Sequence, residues 1–211
     1  MIILAQVKEM LDMQEQLEIR ICGSNWRQQQ HDYRLCIHME CAEIIDHYGW
    51  KHWKNIDVEP DWNAISMELV DVWHFALAHV LCITREPDHI YKDMCYAEEN
   101  YNIDHGANVI QLCINIGNSM FKENLFLVGN FYALMDFASM NWDDLYRLYI
   151  GKNILNWFRQ DHGYKEGLYM KNWAGKEDNV HLFEITEILG DDFNSLTLLE
   201  SLKIRYELAG H

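Results

Sequence analysis

The segment from Trp62 to Ile83 constrains this chain more than any other, because it is apolar around nearly the whole helical wheel and still carries Glu68 and Asp71. At roughly 100° per residue, Leu69, Val70, Val72, Trp73, Phe75, Ala76, Leu77 and Ala78 surround the two acids, which predicts a buried helix. A carboxylate in such a setting costs several kcal/mol or takes up a proton, unless a cation neutralises it. A second helix, predicted over 31–48, carries Glu40-x-x-Glu43 at the spacing of Glu68-x-x-Asp71, so each pair shares one helix face. Ile37, Ile44 and Tyr48 are expected on one flank of the first pair and Leu35, Met39 and Trp50 on the other, with Arg34 and His38 toward water. Asp46 falls near the apolar flank, against this pattern. Spacing alone says little, since an acid-rich chain gives roughly five such pairs by chance, most on solvated faces. The apolar surroundings turn these two pairs inward.

All four candidate ligands are oxygen donors, which favours Mg²⁺, with Mn²⁺ as a substitute, over zinc. Magnesium held by a few carboxylates shares its remaining positions with water and substrate phosphates, so a phosphate-bearing substrate is the leading reading. The charge map agrees with it. Residues 151–176 hold Lys152, Arg159, Lys165, Lys171 and Lys176 against Asp161 and Glu166, although the whole chain has a formal net charge of −16. Such a segment can clamp a polyphosphate, arginine by its planar fork and lysine as a point charge. A solvated basic stretch pairing with an acidic surface is the plainer alternative.

Only 11 glycines and 2 prolines occur in 211 residues, too few for the turns of a many-stranded protein, so the expected class is all-α with a central antiparallel helical bundle. Helical periodicity runs over 2–21, 31–48, 62–83, 108–122, 125–140 and 143–158, with terminal helices over 179–190 and 195–208. Residues 85–106 turn polar and read as a connection of weaker structure. Residues 160–180 read as a long loop of the kind that often carries function. No domain boundary interrupts 1–211. The acidic balance disfavours nucleic acid and anionic membranes as partners. Cysteines 22, 36, 41, 82, 95 and 113 have no zinc-like spacing and read as reduced core residues of a cytoplasmic protein. The apolar run Met1 to Ala5 is too short for a secretion signal.

The blocks H-x-E-C-A-E-I-I-D (38–46), W-K-H-W-K (50–54), E-L-V-D-V-W-H-F (68–75), G-K-N-I-L-N-W-F-R-Q-D-H-G-Y-K-E-G (151–167) and W-A-G-K-E-D-N (173–179) resemble, in order and spacing, the all-α dimeric deoxyuridine triphosphatases of the all-α nucleotide pyrophosphatase superfamily. The resemblance reaches residue 179 and is least diagnostic over 85–140. It implies magnesium on Glu40, Glu43, Glu68 and Asp71, with Glu43 also activating the attacking water. It further implies cleavage of deoxyuridine triphosphate, and of the diphosphate, to the monophosphate. Phosphate contacts map to Lys152, Arg159, Tyr164, Lys165 and Lys171, and base contacts to Gln14, Trp53, His74, Phe75 and Asn156. The deoxyuridine nucleotide and a second copy of the chain are the implied partners.

One position departs from the family block, where a glutamine is followed four residues later by asparagine: here Gln14 is followed by Glu18. A carboxylate cannot donate there at neutral pH, and Asn25-Trp26 is a candidate to compensate. An amide side chain suits uracil in one orientation and cytosine in the other, so a pyrophosphatase for deoxycytidine triphosphate or another nucleotide is the near alternative. Two distant alternatives are a di-iron bundle, suggested by Asp71-x-x-His74 beside Glu68, and a catalytically silent interaction protein of the same fold.

Overall fold

A computed structural model describes residues 3–54, 58–83, 85–100 and 108–210. The described residues form helices α1 (Leu4–Cys22), α2 (Tyr33–Tyr48), α3 (Trp62–Cys82), α4 (Pro87–Asn100), α5 (Val109–Glu123), α6 (Val128–Phe137), α7 (Trp142–Asp161), α8 (Asp178–Leu189) and α9 (Ser195–Leu208). A two-residue antiparallel ladder, β1 (Asn172–Trp173) with β2 (Lys176–Glu177), precedes α8.

The apolar run does become the central helix. α3 buries Leu69, Val70, Val72, Trp73, Ala76, Leu77 and Ala78, and packs against α1, α2, α6 and α7. It is long and apolar enough to cross a membrane, but most of its apolar stretch is covered by the protein's other helices. Asp61 caps its start by accepting from the Ala64 amide at 3.1 Å. α2 and α3 run antiparallel along their length: His47 near the end of α2 meets Glu68, and Glu40, about two turns earlier, meets Asp71 further along α3. Trp73 stacks on Phe131 at 5.3 Å, tying α3 to α6.

Two sequence expectations are corrected here. The polar segment after Arg85 is helical from Pro87 to Asn100, because Ile90, Met94 and Ala97 make a narrow stripe that buries against its neighbours while charged residues face outward. Leu35 and Met39 do not flank an inward face; they are 51% and 50% exposed. The buried line of α2 is Tyr33, Ile37, Cys41 and Ile44, and the acids lie beside it rather than between two apolar flanks. Asp46 is accordingly exposed, accepting from Trp50 and Lys51. Of the cysteines, Cys41 and Cys113 are core residues, Cys82 is exposed, and all six are free thiols.

α7 starts on a capping box in which Asn141 accepts from the amides of Asp143 and Asp144. Gly151 lets α8 close on it: a Cβ there would sit 3.1 Å from Leu182 Cδ1. That approach brings the first residues of α8 beside Lys152, the next residue, and Arg159, about two turns further along α7.

Candidate active site

A single cavity of about 1290 Å³ gathers side chains from helices far apart in the sequence. α1 lends Gln14 and Glu18; α2 lends Glu40, Glu43 and His47; α3 lends Glu68, Asp71, His74 and Phe75. From α7 come Lys152, Asn156 and Arg159, followed by Tyr164, Lys165 and Lys171. Trp53 stands apart, 62% exposed and edge-on to Trp50 and His52. Trp26 does not compensate at Glu18 either, being buried and donating to Glu15.

One oxygen from each of Glu40, Glu68 and Asp71 lies within 4.8 Å of the other two. Glu43 lines the same cavity but is exposed and stands outside this trio. Burial, then the charges of Asp71, Glu68 and Glu43, push the Glu40 carboxyl from its ordinary 4.5 up to about 8. Glu68 is raised as well, by burial and Asp71, with Lys152 opposing. The group is thus short of positive charge, and Glu40 and Glu68 hold their protons more tightly in compensation. Hard oxygen donors at this separation, with an unmet demand for cations, fit a divalent metal ion.

The cationic side chains of the cavity are already partnered. Lys152, buried, donates from Nζ to Asp71 Oδ2 at 2.7 Å and to Asn179 Oδ1 at 2.9 Å. Arg159 forks onto the fully buried Asp178, with Nε and Nη2 each donating at 2.8 Å, and Tyr169 donates to the same carboxylate at 2.8 Å. Burial alone would raise Asp178; Arg159 and Tyr169 hold it below the usual carboxylate range. Arg159 also donates to Asn156 and Asn179, so four of the guanidinium N–H groups have partners among the described residues. Lys165 and Lys171 are exposed, the first donating to the Ile21 carbonyl and the second 3.4 Å from Glu177.

On the base side, Gln14 receives His74 and Tyr149 at its oxygen and gives its nitrogen to Glu18. Burial drives the His74 pKa down to about 3, so its ring is neutral. Phe75 lines the cavity with Tyr33 behind it, ring centroids 6.4 Å apart.

Sequence reasoning did not single out Asn179, which holds Lys152 and Arg159 together, nor Asp178, nor His47, whose Nε2 is 3.6 Å from Glu68 Oε1. The K-E-D-N end of the fifth block was the signal for the first two, since a buried arginine requires a nearby acid. A family model described as dUTPase matches residues 6–164 of the chain. No curated protein matches it.

Proposed function

Because the chain belongs to the dUTPase family and is therefore a nucleotide hydrolase acting on deoxyuridine triphosphate, we propose that the reaction is Mg²⁺-dependent and occurs in the cavity between α2, α3 and α7. The observation that carries this reading is the convergence of Glu40, Glu68 and Asp71 on one point in a cavity that Lys152, Arg159, Lys165 and Lys171 also line. These three acids would hold the metal, with Glu43 beside them. A bound divalent cation supplies charge neutralisation for the polyphosphate and polarises water.

The chain's own residues do the rest. Glu43, exposed and lining the same cavity, would accept the proton of the attacking water, the role of a general base. Lys165 and Lys171 reach the polyphosphate as point charges, and Tyr164 offers a hydroxyl beside them. Lys152 reaches it from the floor of the cavity, releasing Asp71 as it does so. Arg159 has one guanidinium N–H left for a phosphate oxygen and otherwise braces Asp178 and Asn179. Phe75 offers a face on which the base can stack, and Asn156, Gln14 and His74 line the same cavity as its polar contacts. Deoxyuridine diphosphate fits the same arrangement, because none of these contacts requires a third phosphate.

His74 argues against the di-iron alternative, since it spends Nδ1 on Gln14 and is absent from the carboxylate group. A homodimer is supported by the half-exposed apolar residues Leu35, Met39, Ile114 and Phe121 along the seam of α2 and α5, and light scattering would show a monomer if that is wrong.

The test is steady-state hydrolysis of a nucleotide panel with and without Mg²⁺, using the intact protein and Glu43→Gln. Deoxyuridine triphosphate should be the preferred substrate, and the variant should lose about 10²- to 10⁴-fold in kcat with its helical circular dichroism intact. Preference for deoxycytidine triphosphate, or full activity in chelator, rejects the reading.

A further inference from the structure

Glu18 stands where the resembling family has asparagine, and its neighbours form a chain of hydrogen bonds with one consistent polarity. A carboxylate only accepts, so the Gln14 amide turns its nitrogen to it, Nε2 donating to Oε1 at 3.0 Å. The flipped amide would set its carbonyl oxygen against the carboxylate. Tyr33 donates to the other carboxylate oxygen at 2.8 Å, so both neighbours supply protons to Glu18. With its nitrogen committed, Gln14 turns Oε1 to His74 Nδ1, 2.8 Å away.

Tyr149 also donates toward that oxygen at 3.0 Å, and an amide oxygen can only accept. The proton between Gln14 and the imidazole therefore belongs to His74 Nδ1. A neutral imidazole carries one N–H, which leaves Nε2 as an acceptor. Nε2 is buried and has no hydrogen-bond partner among the described residues, while the His74 side chain lines the cavity.

We propose that Glu18 is a positioning residue for base selection: acting through Gln14, it fixes the Nδ1–H tautomer of His74. The acceptor this leaves at Nε2 admits a pyrimidine that carries a proton on its N3 ring nitrogen and repels one that carries a lone pair there. Uracil has the proton and cytosine the lone pair. The inference rests on the proposed entry of the base beside His74 and adds what holds the polarity of that wall. It also explains how a carboxylate is tolerated here. Glu18 acts on the amide behind the base, and a donor facing the ligand is not required of it.

Long-range proton–nitrogen correlation NMR on protein with isotopically labelled histidine reads the tautomer directly, with His74→Gln identifying the signal. The intact protein should show the Nδ1–H form. Glu18→Gln, whose amide can both donate and accept, should show a mixed or inverted tautomer, and Glu18→Asp should restore the original one. In parallel, calorimetry with deoxyuridine and deoxycytidine monophosphates should give a preference for the former. That preference should fall at least about tenfold in Glu18→Gln and persist in Glu18→Asp. If Glu18→Gln does not fold, Glu18→Asn takes its place with the same expectation.

An Nε2–H tautomer in the intact protein overturns the proposal. So does equal binding of the two monophosphates, or a Glu18→Gln that keeps both tautomer and preference. Neither readout needs turnover. Absence of deoxyuridine triphosphate hydrolysis would count against the proposed activity and leave the tautomer and the binding ratio to judge Glu18.

Discussion

On the α7–α8 wall of the cavity, Arg159 and Asp178 close on each other and bury their charges as a pair, whereas on the α2–α3 wall Glu40, Glu68 and Asp71 face one another with Lys152 against Asp71 and the His47 ring beside Glu68. The first arrangement is complete in the protein alone. Every strong charge in it has an opposite partner, and Tyr169, Asn156 and Asn179 take up most of the remaining hydrogen-bonding capacity. The second is incomplete, and Glu40 and Glu68 respond by holding protons above the usual carboxylate range. The difference separates charges that build the site from charges that wait for a ligand. A count of basic residues over 151–176 cannot make that separation, because Arg159 and Lys165 contribute equally to it while one is buried against a carboxylate and the other is exposed and holds only a backbone carbonyl.

If the two walls differ in this way, removing an acid should have opposite consequences on each. Asp178→Ala leaves a buried guanidinium without its counter-charge and should cost about 3–5 kcal/mol, read as a loss of unfolding free energy in denaturant titration. A cost below about 1 kcal/mol would mean that the pair is no more than a solvated contact. Glu40→Gln should do the reverse in metal-free protein. It removes like-charge repulsion and should leave stability unchanged or raise it by up to about 1 kcal/mol above pH 8, while abolishing the stabilisation conferred by Mg²⁺. A large destabilisation by Glu40→Gln would break the comparison.

A pH dependence follows from Glu40 alone. Its carboxyl is raised in the folded protein from 4.5 to about 8, so the folded state holds a proton that the unfolded chain has released. That contribution to stability is complete below the unfolded value and is lost as pH rises through the folded one. The Tm of metal-free protein should therefore drift downward across that window, and the increase in Tm on adding Mg²⁺ should be largest at its upper end. A Tm shift on Mg²⁺ addition that stays constant over the same range would mean that the metal does not displace this proton.

Much of the architecture was legible because it depends on pattern. α3 is apolar almost all round, and such a segment has nowhere to go but the middle of the protein. α4 was hidden because its apolar stripe is only three residues wide, Ile90, Met94 and Ala97, within a sequence dominated by charge. Leu35 and Met39 were misplaced because hydrophobicity fixes a preference for burial and says nothing about how much partner surface is available to grant it.

By itself the sequence determined which carboxylates are paired, which helix is central and which stretch is cationic, since these follow from residue type and helical spacing. Only the tertiary structure decided that Glu43 stays exposed while Glu40, Glu68 and Asp71 converge, that Arg159 is spent on Asp178, and that Glu18 orients Gln14 and His74. The reason is physical. Helical periodicity places a side chain on a face of its own helix, but the partners of a charge or an amide come from helices tens of residues away, and their positions are set by packing of the whole core.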